Sequence, residues 1–212
     1  MTETHFKLSI PNAHHQYLHV ELIINCNSDQ TELVLPTWRP GRYEIGNFAK
    51  NIKAFKVYSD QNKVLNYQKT SKHCWSIDTK DTKYVRIQYQ YYAAELNAGS
   101  TFVNNSILYV NPVNCLIYSK EQFDEPVKVD FEISENWMIA SSLKHVVERT
   151  YTVESYDELF DTPVICSPDL VSKTYEVNGS NFIIWFNDII GIDWEMILKD
   201  FKKITQKQIN AF

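Results

Sequence analysis

Short segments with alternating hydrophobic and polar residues occupy most of this chain. Such alternation has the period of a β-strand, in which successive side chains point to opposite faces. It is clearest at Tyr84–Tyr92, where Val85, Ile87, Tyr89 and Tyr91 share one face and mainly polar residues share the other. The same pattern predicts strands at 6–10, 15–26, 32–35, 54–58, 64–67, 74–78, 107–118 (interrupted at Pro112), 127–133, 150–153, 174–177 and 182–186. Short strands at such regular intervals predict a mainly β fold, either an antiparallel β-sandwich or saddle-shaped sheets.

The end of the chain follows a different pattern. From Asp193, a suitable N-cap, hydrophobic residues recur near helical spacing with lysines between them. The hydrophobic positions are Trp194, Ile197, Leu198, Phe201, Ile204 and Phe212. We therefore predict a C-terminal amphipathic helix whose apolar face needs a partner. Either this helix folds back on the sheets before it, or it is the first helix of a following domain.

Composition supports a folded β protein and excludes two function classes. Hydrophobic residues make up 44% of the chain and 13 residues are tyrosines, a composition that favours sheet. The net charge is −5 and the lysines are scattered, which argues against a nucleic-acid partner. No apolar run approaches the roughly 20 residues that a membrane span requires. The four cysteines include no Cys-x-x-Cys pair, so we expect free, mostly buried thiols.

The first residues carry no signal-peptide pattern, because no apolar stretch follows a basic start. The predicted location is therefore cytoplasmic. If an export signal has been trimmed from the sequence, the protein is exported instead.

One segment between strands is unusually rigid and bulky. Residues 35–43 hold two prolines, a glycine, a tryptophan and two arginines. Pro40 and Gly41 suit the centre of a tight turn, in which Gly41 takes a positive φ. One interpretation is a loop that caps the open end of a sandwich. The other is a wall that presents Arg39, Arg42 or Tyr43 to a neighbouring site.

Five motifs occur in a characteristic order along the chain. They are Trp38-Arg39-Pro40-Gly41-Arg42-Tyr43 with the following Asn47-Phe48-Ala49 and Asn51-Ile52, the strand residue Trp75, Asn111-Pro112, Trp137-Met138-Ile139-Ala140, and Tyr156-Asp157-Glu158-Leu159-Phe160-Asp161-Thr162-Pro163. Together they resemble the amino-terminal domain of the glycyl aminopeptidase-like zinc metallopeptidases, peptidase family sixty-one, which often carry a PDZ domain. The resemblance covers nearly the whole chain.

The zinc centre of such peptidases has no counterpart in this sequence. It needs two histidines one helical turn apart with a glutamate beside the first, and no His-Glu-x-x-His occurs here. His15 and His19 have the right spacing but fall in a predicted strand, where they would stand about 13 Å apart. The resemblance therefore implies an amino-terminal domain that is inactive alone, in residues 1–188, followed by a linker and helix in 189–212 that begin a truncated catalytic domain. Zinc and any PDZ domain are expected in the missing part, and the expected partners are that catalytic domain and the parent's peptide substrate.

By the same resemblance, this domain walls the active site and supports anchoring of the substrate's amino terminus. The candidate wall residues are Arg39, Arg42, Tyr43, Asn104, Asn105 and Asn111. The residues expected to build the motifs structurally are Trp38, Pro40, Gly41, Trp137, Asp157, Leu159, Asp161 and Pro163.

Two other interpretations remain open. The chain could be a stand-alone β-sandwich module that binds carbohydrate or protein through exposed aromatic residues. It could also be a stand-alone hydrolase that uses Ser or Asp residues. Ser141-Ser142 and the nearby His145 could suggest a nucleophile and base, although no nucleophile elbow surrounds these serines. The clustered carboxylates of Asp157, Glu158 and Asp161 favour a capping or turn role, because their spacing does not fit a calcium loop.

Overall fold

The computed structural model describes residues 3–39, 41–42, 44–97, 99–187 and 190–211. In this part of the chain, three β-sheets enclose one hydrophobic core, and a separate hairpin packs with the C-terminal helix. The strands are β1 (Thr4–Ser9), β2 (Tyr17–Asn25), β3 (Gln30–Val34), β4 (Ile52–Ser59), β5 (Tyr67–Lys69), β6 (Cys74–Asp78), β7 (Tyr84–Tyr92), β8 (Phe102–Val103), β9 (Leu108–Val110), β10 (Tyr118–Ser119), β11 (Val127–Glu132), β12 (Met138–Ala140), β13 (Lys144–Val147), β14 (Thr150–Val153), β15 (Val164–Ser167), β16 (Leu170–Val177) and β17 (Ser180–Asn187). The helices are α1 (Pro112–Cys115), α2 (Tyr156–Phe160) and α3 (Trp194–Ile209), with 3₁₀ turns at Ala13–His15, Phe48–Asn51 and Lys120–Gln122. The predicted mainly β fold is confirmed.

The largest sheet has seven strands in the order β13-β14-β11-β1-β2-β7-β4. All neighbours are antiparallel except β1 and β11, which run parallel. At its centre β2 pairs with β7 over their whole length, from Tyr17 opposite Tyr92 to Asn25 opposite Tyr84. The hydrophobic residues of both strands fall on the same face and are buried, as the alternation predicts.

Two four-stranded sheets complete the core, in the orders β10-β3-β6-β5 and β12-β15-β9-β8. An aromatic stack joins the first of them to the large sheet. Phe55 of β4 lies parallel to Trp75 of β6, with ring centroids 5.1 Å apart, and to Tyr89 of β7 at 6.2 Å. Because Trp75 and Tyr89 are almost completely buried, this stack fixes how the two sheets face each other.

Some predicted strand bounds differ from those observed. Residues 107–118 are not one strand, because Pro112 begins the helical turn α1, a position that suits its fixed φ. The strand predicted from residue 15 begins at Tyr17, because Gln16 takes a left-handed φ of 55° after the preceding 3₁₀ turn. Strands β8, β12, β13 and β15 had no prediction. The alternation signal fails there because β13 is exposed throughout, β15 is mostly buried on both faces, and β8 and β12 are only two and three residues long.

The predicted C-terminal helix is confirmed as α3, with the Asp193 side chain accepting the backbone N–H of Met196 as its N-cap. It packs on β16 of the β16–β17 hairpin. The Tyr175 hydroxyl lies 2.7 Å from Thr205 Oγ1, and Phe186 meets Trp194 edge to face. Among the described residues, the last one in the main hydrophobic core is Cys166, so neither the hairpin nor α3 contributes to that core. No helix in the described ranges is long and apolar enough to cross a membrane.

Candidate functional site

The rigid segment after β3 forms a closed loop. The Gly46 N–H donates to the Thr37 carbonyl at 2.6 Å and closes the base of the loop. At its tip the Arg42 N–H donates to the Arg39 carbonyl at 3.3 Å, and Gly41 has a φ of 79°. This is the geometry in which the third residue of a tight turn needs a positive φ, as predicted. Pro40 and Tyr43, which belong to the same prediction, lie outside the described residues.

The motif at residues 156–163 begins with the short helix α2. The Ser155 hydroxyl accepts the Glu158 N–H at 3.3 Å, and the Glu158 carboxylate accepts the Glu154 N–H at 2.9 Å. These reciprocal bonds satisfy donors at the start of the helix, much as a capping box does. Leu159 is buried. The predicted capping role of the acidic cluster therefore holds for Glu158, while Asp157 and Asp161 remain exposed at the surface.

Aromatic packing holds α2 in place. Tyr156 is fully buried and touches the rings of Phe6, Tyr118, Phe123 and Phe160, with centroids 5.7 to 6.3 Å apart. Burial raises the pKa of the Tyr156 phenol well above its ordinary value, so the group stays neutral. The helix is thus fixed against β1 and the segment around β10.

The loop after β3 and the motif at residues 156–163 both line one groove of about 580 Å³. Its described lining residues are Pro36, Trp38, Arg39, Tyr109, Asn111, Val113, Tyr118, Phe123, Asp157, Phe160, Asp161 and Pro163. We call it the motif groove. Trp38 is 51% exposed, which is unusual for the largest apolar side chain and leaves one wall of the groove open to a partner. Asp157, Asp161 and Arg39 also line the groove, so its walls include both apolar and charged residues.

Asn111 and Arg39 meet at Gly99. The Asn111 side-chain amide donates to the Gly99 carbonyl at 3.2 Å, and Asn114 donates to the same oxygen. On its other side Gly99 lies against the Arg39 guanidinium so closely that a Cβ there would overlap it. Asn111 is 8% exposed, and its backbone N–H donates to Thr101 Oγ1 at 3.1 Å. Asn111 therefore holds the loop that carries Gly99 while it lines the groove.

Three other predicted wall residues lie outside the motif groove. Arg42 pairs with Glu44 at 2.6 Å and lines a second cavity rather than the groove. The Asn104 side-chain Oδ1 accepts the backbone N–H groups of Ser106 and Ile107 and so shapes a turn. Asn105 approaches His14. Neither asparagine lines the groove or the second cavity, so the structure gives them no place in a wall built there.

Sequence reasoning missed several residues at these sites. Tyr109, Val113, Tyr118 and Phe123 line the groove, and Asn114 lies beside Asn111 near Gly99. Burial raises the pKa of the Tyr118 phenol, which keeps it a neutral hydrogen-bonding group. The one available signal for Asn114 was its three-residue spacing from Asn111 after Pro112, since a helical turn there places both side chains on one side.

A metal or hydrolytic centre needs suitable side chains that converge on one point. No group of three or more His, Cys, Asp or Glu side chains converges among the described residues. The Ser141 hydroxyl donates to the Pro163 carbonyl at 3.2 Å, while His145 Nε2 lies 3.0 Å from the Glu148 carbonyl. These groups bind backbone rather than each other, which argues against a serine–histidine pair.

The fold and the motif groove define this protein as a mainly β domain in which two sequence motifs line one groove. A family model described as the Peptidase M61 N-terminal domain matches residues 5–168, and the chain belongs to this family. The resemblance seen in the motifs is thereby confirmed.

One solved structure shares the fold, and others match with lower scores. An aminopeptidase N family protein from Idiomarina loihiensis is 24% identical, with a TM-score of 0.90 over 98% of this chain and 36% of that chain. An M1 zinc metallopeptidase from Deinococcus radiodurans is 12% identical, covers 82% of this chain and 43% of that one, and has a TM-score of 0.47. A variant of the Deinococcus enzyme bound to a Tyr-Ser-Ala substrate is 11% identical over 95% and 51% of the two chains, with a TM-score of 0.46. This chain thus spans about a third to a half of the length of these proteins. Among curated proteins, none matches it.

Proposed function

We propose that this chain is the non-catalytic amino-terminal domain of a zinc-dependent aminopeptidase, and that its motif groove walls the active site and helps anchor the amino terminus of a peptide substrate. The zinc and the general base belong to a separate catalytic domain, where the metal would activate water for attack on the peptide carbonyl. This chain supplies shape and charge instead.

The observation that carries the proposal is the convergence of the two motifs at the groove. Trp38 offers an exposed apolar surface, and Asp157 and Asp161 offer carboxylates that are exposed rather than engaged in capping. A peptide amino terminus is a cation next to a side chain, and exposed carboxylates beside an aromatic wall suit that combination. Arg39 on the same groove can interact with acidic or carbonyl groups farther along the peptide.

The exposed side chains of the β16–β17 hairpin and α3 give the proposal further support. On α3, Met196 is 56% exposed, Phe201 41% and Ile204 53%, while Ile183 of the hairpin is 57% exposed. Large apolar side chains exposed on these two elements indicate a surface that packs against another part of a protein. We propose that the remainder of the catalytic domain covers it. A helix fully docked on the sheets would instead have favoured the stand-alone binding module.

We propose a boundary between the amino-terminal domain and the catalytic unit that lies before residue 188. The family match ends at residue 168, and Cys166 is the last described residue of the main core. The hairpin β16–β17 pairs only with itself in the described sheets and packs with α3. We therefore assign residues 170–209 to the catalytic unit and place the division near Asp169.

Zinc content and hydrolysis of glycyl and alanyl arylamides should be measured side by side for this chain and for the translated full-length reading frame. We expect only the longer product to bind zinc and cleave. If neither product does so, the peptidase assignment fails.

The wall is tested by variants in that longer, active protein. Asp157→Asn and Trp38→Ala should raise KM for aminoacyl arylamides by about tenfold, because each removes a contact to the bound amine or side chain. Asn104→Ala, a polar residue away from the groove, is the matched control and should leave both constants unchanged. An active enzyme whose kcat and KM are unaffected by both groove variants would refute the wall while leaving the peptidase assignment intact.

A further inference from the structure

A second cavity of about 270 Å³ lies next to the motif groove and shares only Arg39 with it among the described residues. Its described lining is Arg39, Arg42, Glu44, Ile45, Gly46, Asn47, Phe48, Lys50, Asn51, Tyr91, Tyr92, Ala94, Glu95, Ser100, Thr101 and Asn114. We call it the Arg39 cavity. Its volume is just below the range of about 300–1,000 Å³ typical of small-molecule pockets, so it suits a compact ligand.

Two buried polar atoms of residues on this cavity lack partners. Neither Arg39 Nε nor Asn114 Oδ1 has a hydrogen-bond partner among the described residues. Asn114 is 1% exposed, and its orientation is set because its Nδ2 donates to the Gly99 carbonyl. The amide cannot reverse without placing its oxygen against that carbonyl. A buried polar atom left unpaired is unfavourable, so a ligand that hydrogen-bonds to both atoms would be stabilised by them.

The charges on the cavity wall separate into two signs. Arg42 is already paired with Glu44 at 2.6 Å. Arg39, Lys50 and Glu95 have no ion-pair partner in the described part of the chain. The wall therefore offers unpaired cationic groups and one unpaired carboxylate. Glu95 would repel a ligand that carried only a negative charge. Arg39 and Lys50 would repel one that carried only a positive charge.

A small zwitterion matches both the charges and the unpaired atoms. Its carboxylate would accept hydrogen bonds from Arg39 and Lys50, and its ammonium would donate to Glu95 and to Asn114 Oδ1. Phe48 and Tyr91 provide apolar surface for a side chain, and the Tyr91 hydroxyl is fixed because it accepts a hydrogen bond from Asn51 at 3.1 Å. We propose that the Arg39 cavity binds a free α-amino acid or dipeptide through both charged ends.

This binding is independent of the aminopeptidase proposal, because it is measured on this chain without any turnover. Titration of L-alanine and alanyl-alanine, followed by NMR amide shifts and calorimetry, should give saturable binding of at least one. Acetate and ethylamine each carry only one of the two charges. We expect both to bind at least about tenfold more weakly, since each forgoes charge-assisted hydrogen bonds.

Variants locate the site. Glu95→Gln and Arg39→Met should each weaken zwitterion binding by about tenfold or more, because each removes one of the charged contacts. Lys120→Gln is the matched control, since Lys120 pairs with Glu32 at 3.0 Å and does not line this cavity, and it should change affinity by less than about threefold. Asp157→Asn in the motif groove should have no effect on this binding.

Three outcomes would overturn the inference. The first is the absence of saturable binding by either zwitterion. The second is acetate binding as tightly as alanine with no effect of Glu95→Gln, which would make the cavity a simple anion site. The third is a loss of binding in Asp157→Asn with none in Glu95→Gln, which would place the ligand in the motif groove. Thermal unfolding of each variant shows whether it remains folded.

Discussion

Replacement of Tyr89 by phenylalanine tests how the core positions the site. The Tyr89 hydroxyl is fully buried, donates to the Cys115 carbonyl at 2.7 Å and accepts the Ile117 N–H at 3.2 Å. It thereby ties β7 to the backbone that follows α1, the turn that carries Asn114. Tyr89→Phe keeps the ring stacked on Phe55 and removes only the oxygen.

The expected loss follows from the two backbone groups left without a partner. Each buried, unsatisfied group costs about 1–3 kcal/mol, and partial relaxation of the chain reduces the sum. We expect Tyr89→Phe to lower the free energy of unfolding by roughly 2–4 kcal/mol in total. For a protein of this size, that corresponds to a fall in Tm of roughly 4–16 °C.

Urea unfolding followed by tryptophan fluorescence and circular dichroism provides the measurement. Tyr92→Phe is the matched control, because Tyr92 ends the same strand, is 43% exposed and makes no hydroxyl hydrogen bond among the described residues. It should change stability by less than about 0.5 kcal/mol. If Tyr89→Phe is no more destabilising than Tyr92→Phe, the hydroxyl does not tie these segments together.

Two further predictions concern titrating groups. Burial, followed by the charges of Lys53 and His15, lowers the pKa of His19 below its ordinary value. As the pH falls, His19 of the unfolded chain is therefore protonated before His19 of the folded chain. The stability that neutral His19 contributes is fully present above pH ~6.5 and is lost as the pH falls through the folded-state pKa. In His19→Gln the fall in Tm between pH ~7.5 and ~5.5 should be smaller than in the wild type, and an unchanged fall would contradict this. Burial also raises the pKa of the Cys115 and Cys166 thiols to about 12, so a thiol reagent at neutral pH should modify them only after denaturant is added, and rapid native-state labelling at either residue would show that they are accessible.

The alternation of hydrophobic residues predicted the centre of the fold well but not its edges. It gave β6, β7 and β14 with their observed bounds. In β6 and β7 one face is buried in the core, which produces the clear alternation. It did not predict β8, β12, β13 or β15, where neither one-sided burial nor length creates a signal. Pro112 was recognised as a break, yet the helical turn it starts was not predicted, because a single turn leaves no periodicity to detect.

The candidate site was predicted in pieces. The turn at Gly41 followed from the Pro-Gly sequence, and its positive φ agrees. The sequence could not show that Trp38 and Asp157, more than a hundred residues apart, line the same groove. Nor could it separate Arg39 from Arg42, which are alike in sequence but differ in the structure because only Arg42 pairs with Glu44.

The sequence by itself determined the class of fold, the C-terminal helix, the family resemblance and the lack of a His-Glu-x-x-His motif in this chain. These features depend on local spacing and residue type, which the order of residues contains directly. Only the tertiary structure decided which motifs share a groove and that a second cavity lies behind Arg39. It also showed that the β16–β17 hairpin stands apart from the main core. The physical reason is that groove, cavity and core are formed by contacts between distant segments, and those contacts depend on how the sheets pack around the buried stack of Phe55, Trp75 and Tyr89.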